Sequence, residues 1–450
     1  MSSLPKEPVV NSIPDRAIML KRLYQKVDMR IVSILMLAYL LDSIDRMNIG
    51  FARQQISERM SLTSADYGTA AGIFFIGYVL FEIPSNLILP RVGARRTFAR
   101  IMVLWGLTSA CMGFLHDRNM FYILRFMLGL FEAGFAPACM FYLARWYPPT
   151  RVATAVSVQQ TAAPLAGVIS GPMSGWIISS MDHVGGLDGW RWMFFIEGVP
   201  SILMGIAVYF LLPDRMEDAK WLNDSERALL KTQYVDVPTA VNYGSFRQVV
   251  ADPKIYVMSM AYFCLICGIY TVNFWLPNII HNTGVKSEMQ TGMLAAIPYI
   301  FCTIAIIVWA RKSDQARERR WHSVIPAASG ALALLAIPFL HNNLPLSLAM
   351  MSITISVVYS AYIIFWSVPC EMLKGRGAAG GFALINTIGM LGGFCSPIII
   401  GHLTDWTGNL NAGLLCMSMI VFIGSIILFF IVPGRKNTEE NSAVRSGYSA

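Results

Sequence analysis

The sequence predicts an all-α membrane protein with twelve transmembrane helices in two pseudo-symmetric six-helix halves. Three observations carry this. The 450 residues are 55% hydrophobic and 14% charged, with a mean hydropathy of +0.53. Soluble domains carry about 25% charged residues, so this chain has too few to cover a soluble globule of its length. Apolar segments recur near the roughly 20 residues that cross a bilayer, and none alternates like a barrel strand. The two halves also echo each other. Gly167-x-x-x-Gly171-Pro172 lies in the fifth span and Gly392-x-x-x-Ser396-Pro397 in the eleventh. Small residues one turn apart let helices approach closely, and proline bends or locks the segment.

The predicted spans are 29–49, 68–90, 97–115, 120–143, 153–178 and 192–212, then 255–280, 289–310, 322–340, 346–371, 377–402 and 411–432. The domains are therefore an N-terminal tail (1–28), a first half (29–212), a linker (213–254), a second half (255–432) and a C-terminal tail (433–450). In the linker, Asn223 is placed to cap a short amphipathic helix, with Glu226 at the capping-box position. The linker is too short to be a catalytic domain.

Basic residues set the orientation. Lys21, Arg22, Lys26 and Arg30 precede the first span, and Arg91, Arg95, Arg96 and Arg100 follow the second. Arg145 and Arg151 follow the fourth, Arg311, Lys312, Arg317, Arg319 and Arg320 the eighth, and Lys374 and Arg376 the tenth. Alternate loops are poor in Lys and Arg, which places both termini in the cytoplasm. The same placement accounts for the net charge of +8 without a nucleic-acid partner. Cys264 and Cys267 form a C-x-x-C inside an apolar helix, with no second pair and no nearby histidine, so packing explains them. The six histidines show no metal-ligand spacing. No metal and no cofactor is expected. The first 28 residues lack an apolar signal core, so the first span is retained. An enzyme is not expected: no H-E-x-x-H and no suitably placed G-x-S-x-G occurs.

Polar chemistry inside the spans points to a solute path. Leu40 to Gly50 carries Asp45 and Arg46 side by side inside the first span. A charge at bilayer depth costs at least about 2.5–3.5 kcal/mol, so such residues face a water-filled cavity or an opposite charge. A cap at the end of the helix, with Arg46 reaching the headgroups, is the structural alternative. In the fourth span Arg125, Gly129 and Glu132 share one face at i, i+4, i+7. The bare glycine leaves room for a solute or a neighbouring helix. By depth, Asp45 and Arg125 lie near one level and form a possible pair, with Glu132 about 10 Å further in. Tyr78, Gln160, Thr161 and Asn386 also fall near mid-span, and Trp366 offers a stacking surface. Each of these alone is also explained by helix packing.

Several segments together resemble the anion:cation symporter family of the major facilitator superfamily. They are Asp45-Arg46-Met47-Asn48-Ile49-Gly50-Phe51-Ala52, Gly77-Tyr78 through Ile83-Pro84-Ser85-Asn86, Val92-Gly93-Ala94-Arg95, Leu124-Arg125 through Glu132-Ala133-Gly134-Phe135, Gly189-Trp190-Arg191-Trp192 through Ile196-Glu197-Gly198, and Ala219-Lys220-Trp221-Leu222. The likeness covers nearly the whole chain and is nearest to bacterial permeases for tartrate, 4-hydroxyphenylacetate and sugar acids. It departs at Ser43, where galactonate-type members have tyrosine, and at Asn86 and Pro90 in the basic-loop motif. The resemblance implies proton-coupled uptake of a small organic anion by alternating access across a bacterial inner membrane, by a monomer. It implies Asp45 and Glu132 for proton coupling, and Arg46, Tyr78, Arg125, Trp366 and Asn386 around the anion. Organic-anion exchange without proton coupling is the alternative, and a membrane solute sensor is a further one.

Overall fold

The computed structural model describes residues 13–232, 246–316, 318–340, 343–373 and 378–432. Lys374, Arg376, Arg317, the middle of the linker and the C-terminal tail lie outside the described residues. Twelve helical segments form the bundle: α1 (Ser33–Met60), α2 (Ser64–Val92), α3 (Ala94–Cys111), α4 (Arg118–Glu132, continued by Phe135–Ala144), α5 (Pro149–Gln160, continued by Ala162–Ser180), α6 (Gly189–Leu211), α7 (Pro253–Asn282), α8 (Glu288–Ala316), α9 (Arg320–Ala336), α10 (Leu344–Met372), α11 (Ala378–Thr407) and α12 (Asn411–Ile431). Ten of these are long and apolar enough to cross a membrane. The other two are α1, which carries Asp42, Asp45 and Arg46 within its apolar stretch, and α5, which is broken at Thr161.

Local chemistry sets the boundaries. The expected first span ended at residue 49, yet α1 runs on to Met60 and stops where Ser61 turns left-handed at φ 50°. Thr63 and Asp66 close a capping box at the start of α2. The two parts of α4 meet at Gly134, whose φ of 89° admits only a residue without a Cβ at low cost. Thr161 donates its hydroxyl to the Val158 carbonyl at 2.6 Å, so the chain turns locally at the break in α5. Asn223 caps a linker helix, Asp224–Lys231, with Glu226 reaching back to the Asn223 amide. That helix docks on the first half through Lys26 and Glu226 at 2.8 Å and through Trp221 stacked on Trp146 at 5.6 Å.

The first half is drawn tight by glycines. A Cβ on Gly129 would sit 1.9 Å from the Phe74 carbonyl oxygen, and one on Gly77 would sit 2.4 Å from the Phe126 oxygen. Gly129 therefore makes room for α2, which settles the choice between a solute and a neighbouring helix. The halves meet along two seams, α2 against α11 and α5 against α8. The repeated motifs serve these seams: Gly171 lies against the Gly292 carbonyl, and the Pro397 carbonyl lies against Gly68.

Among the described residues, glycine contacts between the halves run from mid-helix towards the end of the bundle remote from the termini: Gly393 with Phe75, Gly72 with Phe394, Gly68 with Pro397 and Gly401 with Ser64. At that far end the Asp405 carboxylate accepts from the backbone amides of Ser64 and Ala65 at 2.9 and 2.8 Å. It thereby satisfies orphan donors at the start of α2 and complements the helix dipole. Tyr67 donates to the Phe274 carbonyl at 3.2 Å, and Arg53 lies 4.1 Å above the Trp275 ring. The far end is closed.

Candidate functional site

Arg46 is the centre of the site. It leaves α1 one turn after Asp42, and its Nε lies 3.4 Å from Asp42 Oδ2. It also pairs with Glu132, where the first part of α4 ends. From the other half, the Tyr270 hydroxyl on α7 accepts from Arg46 Nη1 at 3.1 Å. The guanidinium lies 5.3 Å above the Tyr78 ring and 5.6 Å above Phe74. The Asp42 and Glu132 side chains are 1% and 0% exposed, whereas Arg46 keeps 12%. Within this trio the cation is the member most open to an entering solute.

Arg125 is on the same side of the bundle but plays a different part. It donates to the Ala70 carbonyl at 3.1 Å and the Ala71 carbonyl at 3.4 Å, and it lies 5.0 Å above Phe74. The possible pair of Asp45 and Arg125 is not made in this conformer. Asp45 instead accepts from Trp105 Nε1 and Ser109 Oγ at 2.8 Å, and from Ser201 Oγ at 3.1 Å. The physical reason is azimuth. One residue is about 100° around a helix, so Asp45 points to α3 and α6 while Arg46 points to α4 and α7. Depth along the axis brought Asp45 and Arg125 to one level, and depth alone does not decide facing. Glu197 on α6 belongs to this rear pocket and accepts from Ser174 at 2.7 Å.

A second polar group crosses the halves. Asn386 on α11 donates to Glu82 Oε1 on α2 at 2.6 Å, and Tyr262 donates to Asn386 Oδ1 at 3.4 Å. Trp366 meets Tyr262 edge-on at 5.0 Å and stacks with Phe382 at 6.2 Å. Tyr78 and Glu82 lie one turn apart on α2, so the Arg46 group and the Asn386 group occupy one face of that helix. Asn386 and Trp366 are half-buried. Gln160 and Thr161 are half-buried at the break in α5, and Thr161 spends its hydroxyl on its own helix. It is Gln159 that is fully buried, with neither end of its amide partnered among the described residues.

The structure thus gathers Arg46, Tyr78 and Arg125 around Phe74, pairs Glu132 with Arg46, and sets Asn386 and Trp366 a helix turn away. Asp45, Gln160 and Thr161 stand apart. Sequence reasoning missed Asp42, Glu82, Gln159 and Glu197. Asp42 carried a signal, since Asp42-x-x-x-Arg46 is the i, i+4 spacing that faces two side chains together. Glu82 carried the same i, i+4 relation to Tyr78. Cys264 and Cys267 are buried free thiols, and among the described residues no cluster of three or more possible metal ligands occurs.

Comparison with known proteins bears on this arrangement. The family described as Major Facilitator Superfamily matches residues 35–397. A Pseudomonas putida protein named "Putative metabolite transport protein NicT" is 39% identical over 410 residues, covering 91% of this chain and 93% of the relative. An Agrobacterium vitis protein named "Putative tartrate transporter" is 40% identical over 412 residues, covering 91% of each. Among solved structures, the xylose transporter XylE from E. coli superposes with a TM-score of 0.71 at 15% identity, covering 91% of this chain and 98% of that one. The family match, the length of the shared sequence and the paired six-helix halves agree: the chain belongs to the major facilitator superfamily and is a multi-pass membrane transporter.

Proposed function

We propose that the protein takes up a small organic anion together with protons, by alternating access across a bacterial inner membrane with both termini in the cytoplasm. The observation that carries this is the Arg46 group. A guanidinium offers a planar fork matched to a carboxylate, and here it is the most accessible member of a buried trio. Rings of Phe74 and Tyr78 border it, and Tyr270, Trp366 and Asn386 bring neutral partners from the other half. Tartrate, a hydroxyphenylacetate-type acid or a sugar acid fits this chemistry. The name of the Agrobacterium vitis relative supports the first.

Glu132 is the coupling acid of the proposal, because it competes directly with a solute carboxylate for Arg46. Asp45, in the rear pocket on the same helix, is a second acid in the proton path. When the solute takes Arg46, Glu132 loses its cation and gains reason to bind a proton. Anion and proton binding then favour each other, as reciprocal linkage requires. The closed far end supports a conformer whose site opens towards the termini, and rocking of the halves exposes it to the other side.

Thermal stabilisation of the purified protein by each of these acids identifies the solute. Proteoliposomes then test the cycle. The wild type accumulates the acid under an imposed proton gradient, whereas Glu132→Gln exchanges it across the membrane without accumulating it. Uptake indifferent to the gradient in the wild type establishes the exchanger instead.

A further inference from the structure

The proposed cycle leaves one member of the Arg46 group without a task. Asp42 is as deeply buried as Glu132, and a transporter needing only an arginine and a coupling acid gains nothing from a third charge there. Both acids lean on the same guanidinium, Asp42 through Oδ2 and Glu132 through Oε1. Their other oxygens, Asp42 Oδ1 and Glu132 Oε2, are buried and have no donor among the described residues. The two carboxyl groups converge on that one cation from α1 and α4, so the partner each free oxygen lacks is within the acid pair itself. An ionised carboxylate only accepts hydrogen bonds, so a bond between two carboxyls requires a hydrogen on one of them.

Among the described residues, no second cation forms an ion pair with either acid. Around the pair are Tyr39 on α1, Tyr78 on α2, Cys139 in the second part of α4 and Tyr270 on α7, while Asp45, three residues on from Asp42, is turned away towards α3 and α6. Arg125 is the other guanidinium nearby, and its donors go to the Ala70 and Ala71 carbonyls. One positive charge therefore answers two buried acids. Two bare carboxylates beside one guanidinium leave a net negative charge there, and one shared proton removes it.

We propose that Asp42 and Glu132 share one proton beneath Arg46, and that a second proton enters when a solute carboxylate takes Arg46 from them. This rests on the transport reading above and adds the identity of the proton site. Charge balances at each stage. The empty site holds Arg46 as a cation, one carboxylate and one carboxylic acid. The loaded site holds Arg46 paired with the solute carboxylate, and two carboxylic acids. One proton from the aqueous side therefore enters with each carboxylate that engages Arg46, and one leaves when the solute does. The acid pair is a proton site specific to carboxylate solutes, because a neutral solute leaves Arg46 where it is.

Infrared absorption of the purified, solute-free protein at neutral pH tests the shared proton. In Asp42→Asn the carboxylic-acid carbonyl band falls by one carboxyl group, because Glu132 becomes the sole carboxylate of Arg46. Glu132→Gln gives the same loss from the other side and keeps the test decisive where Asp42→Asn does not fold. Asp42→Glu restores the band. No loss in either variant overturns the proposal, since the pair is then fully ionised. Proteoliposomes with tartrate as the probe test the coupling. The wild type accumulates tartrate under a proton gradient, and the double variant Asp42→Asn/Glu132→Gln, with no acid left beneath Arg46, retains counterflow but loses accumulation. Accumulation by the double variant equal to the wild type overturns the acid pair as the proton site and leaves proton-coupled transport standing. Counterflow without gradient-driven accumulation in the wild type overturns both.

Discussion

The two halves share a plan and differ in what they bury. Among the described residues, the charged side chains buried in the core are Asp42, Asp45, Glu82, Arg125, Glu132 and Glu197, all in the first half. The second half buries hydroxyls, amides and rings, including Thr271, Asn273, Tyr262, Tyr270, Tyr299 and Tyr359. The lesson is a division of labour. Burying an ion costs several kcal/mol unless it is paired or hydrogen-bonded, and the first half supplies Arg46 to Asp42 and Glu132, Trp105 and two serines to Asp45, and backbone carbonyls to Arg125. A neutral phenol or amide costs less to uncover when the halves part. Both bonds that reach from the second half into the site, Tyr270 with Arg46 and Asn386 with Glu82, join a neutral group to a charged one. The moving contact is thus the weaker kind, and the first half keeps its ion pairs to itself.

Substitutions on either side of this divide test it. Arg46→Lys retains the charge but loses the fork that spans two acids and a solute carboxylate. Charge-assisted hydrogen bonds are worth about 1.5–3 kcal/mol, so the anion binds roughly 10- to 100-fold more weakly, measured by titration calorimetry on the purified protein. Affinity near that of the wild type breaks the assignment of charge recognition to the first half.

Tyr270→Phe removes one neutral acceptor from the second half and leaves the ring. Arg46 is partly exposed, so water replaces the lost acceptor and the expected loss is about 0.5–1.5 kcal/mol, or roughly 2- to 10-fold in affinity by the same titration. A loss equal to that of Arg46→Lys makes the second half an equal partner in recognition and ends the comparison drawn here.

The smallest effect belongs to the linker, which docks on the first half. Burial works to raise the Glu226 carboxyl, but the Lys26 ammonium and the Asn223 amide hold it below the ordinary glutamate value. A depressed folded value contributes stability above the unfolded value, about pH 4.3, and that contribution is lost as pH falls through the folded value. The pair is partly exposed, with Lys26 38% accessible, so its worth is at most about 1 kcal/mol. Hydrogen exchange in Asp224–Lys231 rises on acidification in the wild type, and Lys26→Met flattens that rise. An unchanged pH profile in Lys26→Met places the anchor elsewhere, with the stack of Trp146 and Trp221 as the next contact to break.

The sequence by itself determined that this is a helical membrane protein of twelve segments in two related halves. That follows from a scarcity of charge and from apolar runs of bilayer length, which no later packing can undo. It also singled out Arg46, Arg125 and Glu132, because a charge inside an apolar span is costly wherever it points. It resolved Gly129 only as an empty place, and it ranked Asp45 above Asp42 because Asp45 adjoins Arg46 in the chain. The tertiary structure alone decided that Asp42 faces Arg46 while Asp45 faces Trp105, that Arg125 is spent on backbone carbonyls, and that Asn386 reaches Glu82 across 304 residues. Helical periodicity fixes the angles between residues on one helix, but not the angle at which each helix presents a face to its neighbours. That rotation is set when side chains of the whole bundle pack, and a buried polar site is made from its outcome.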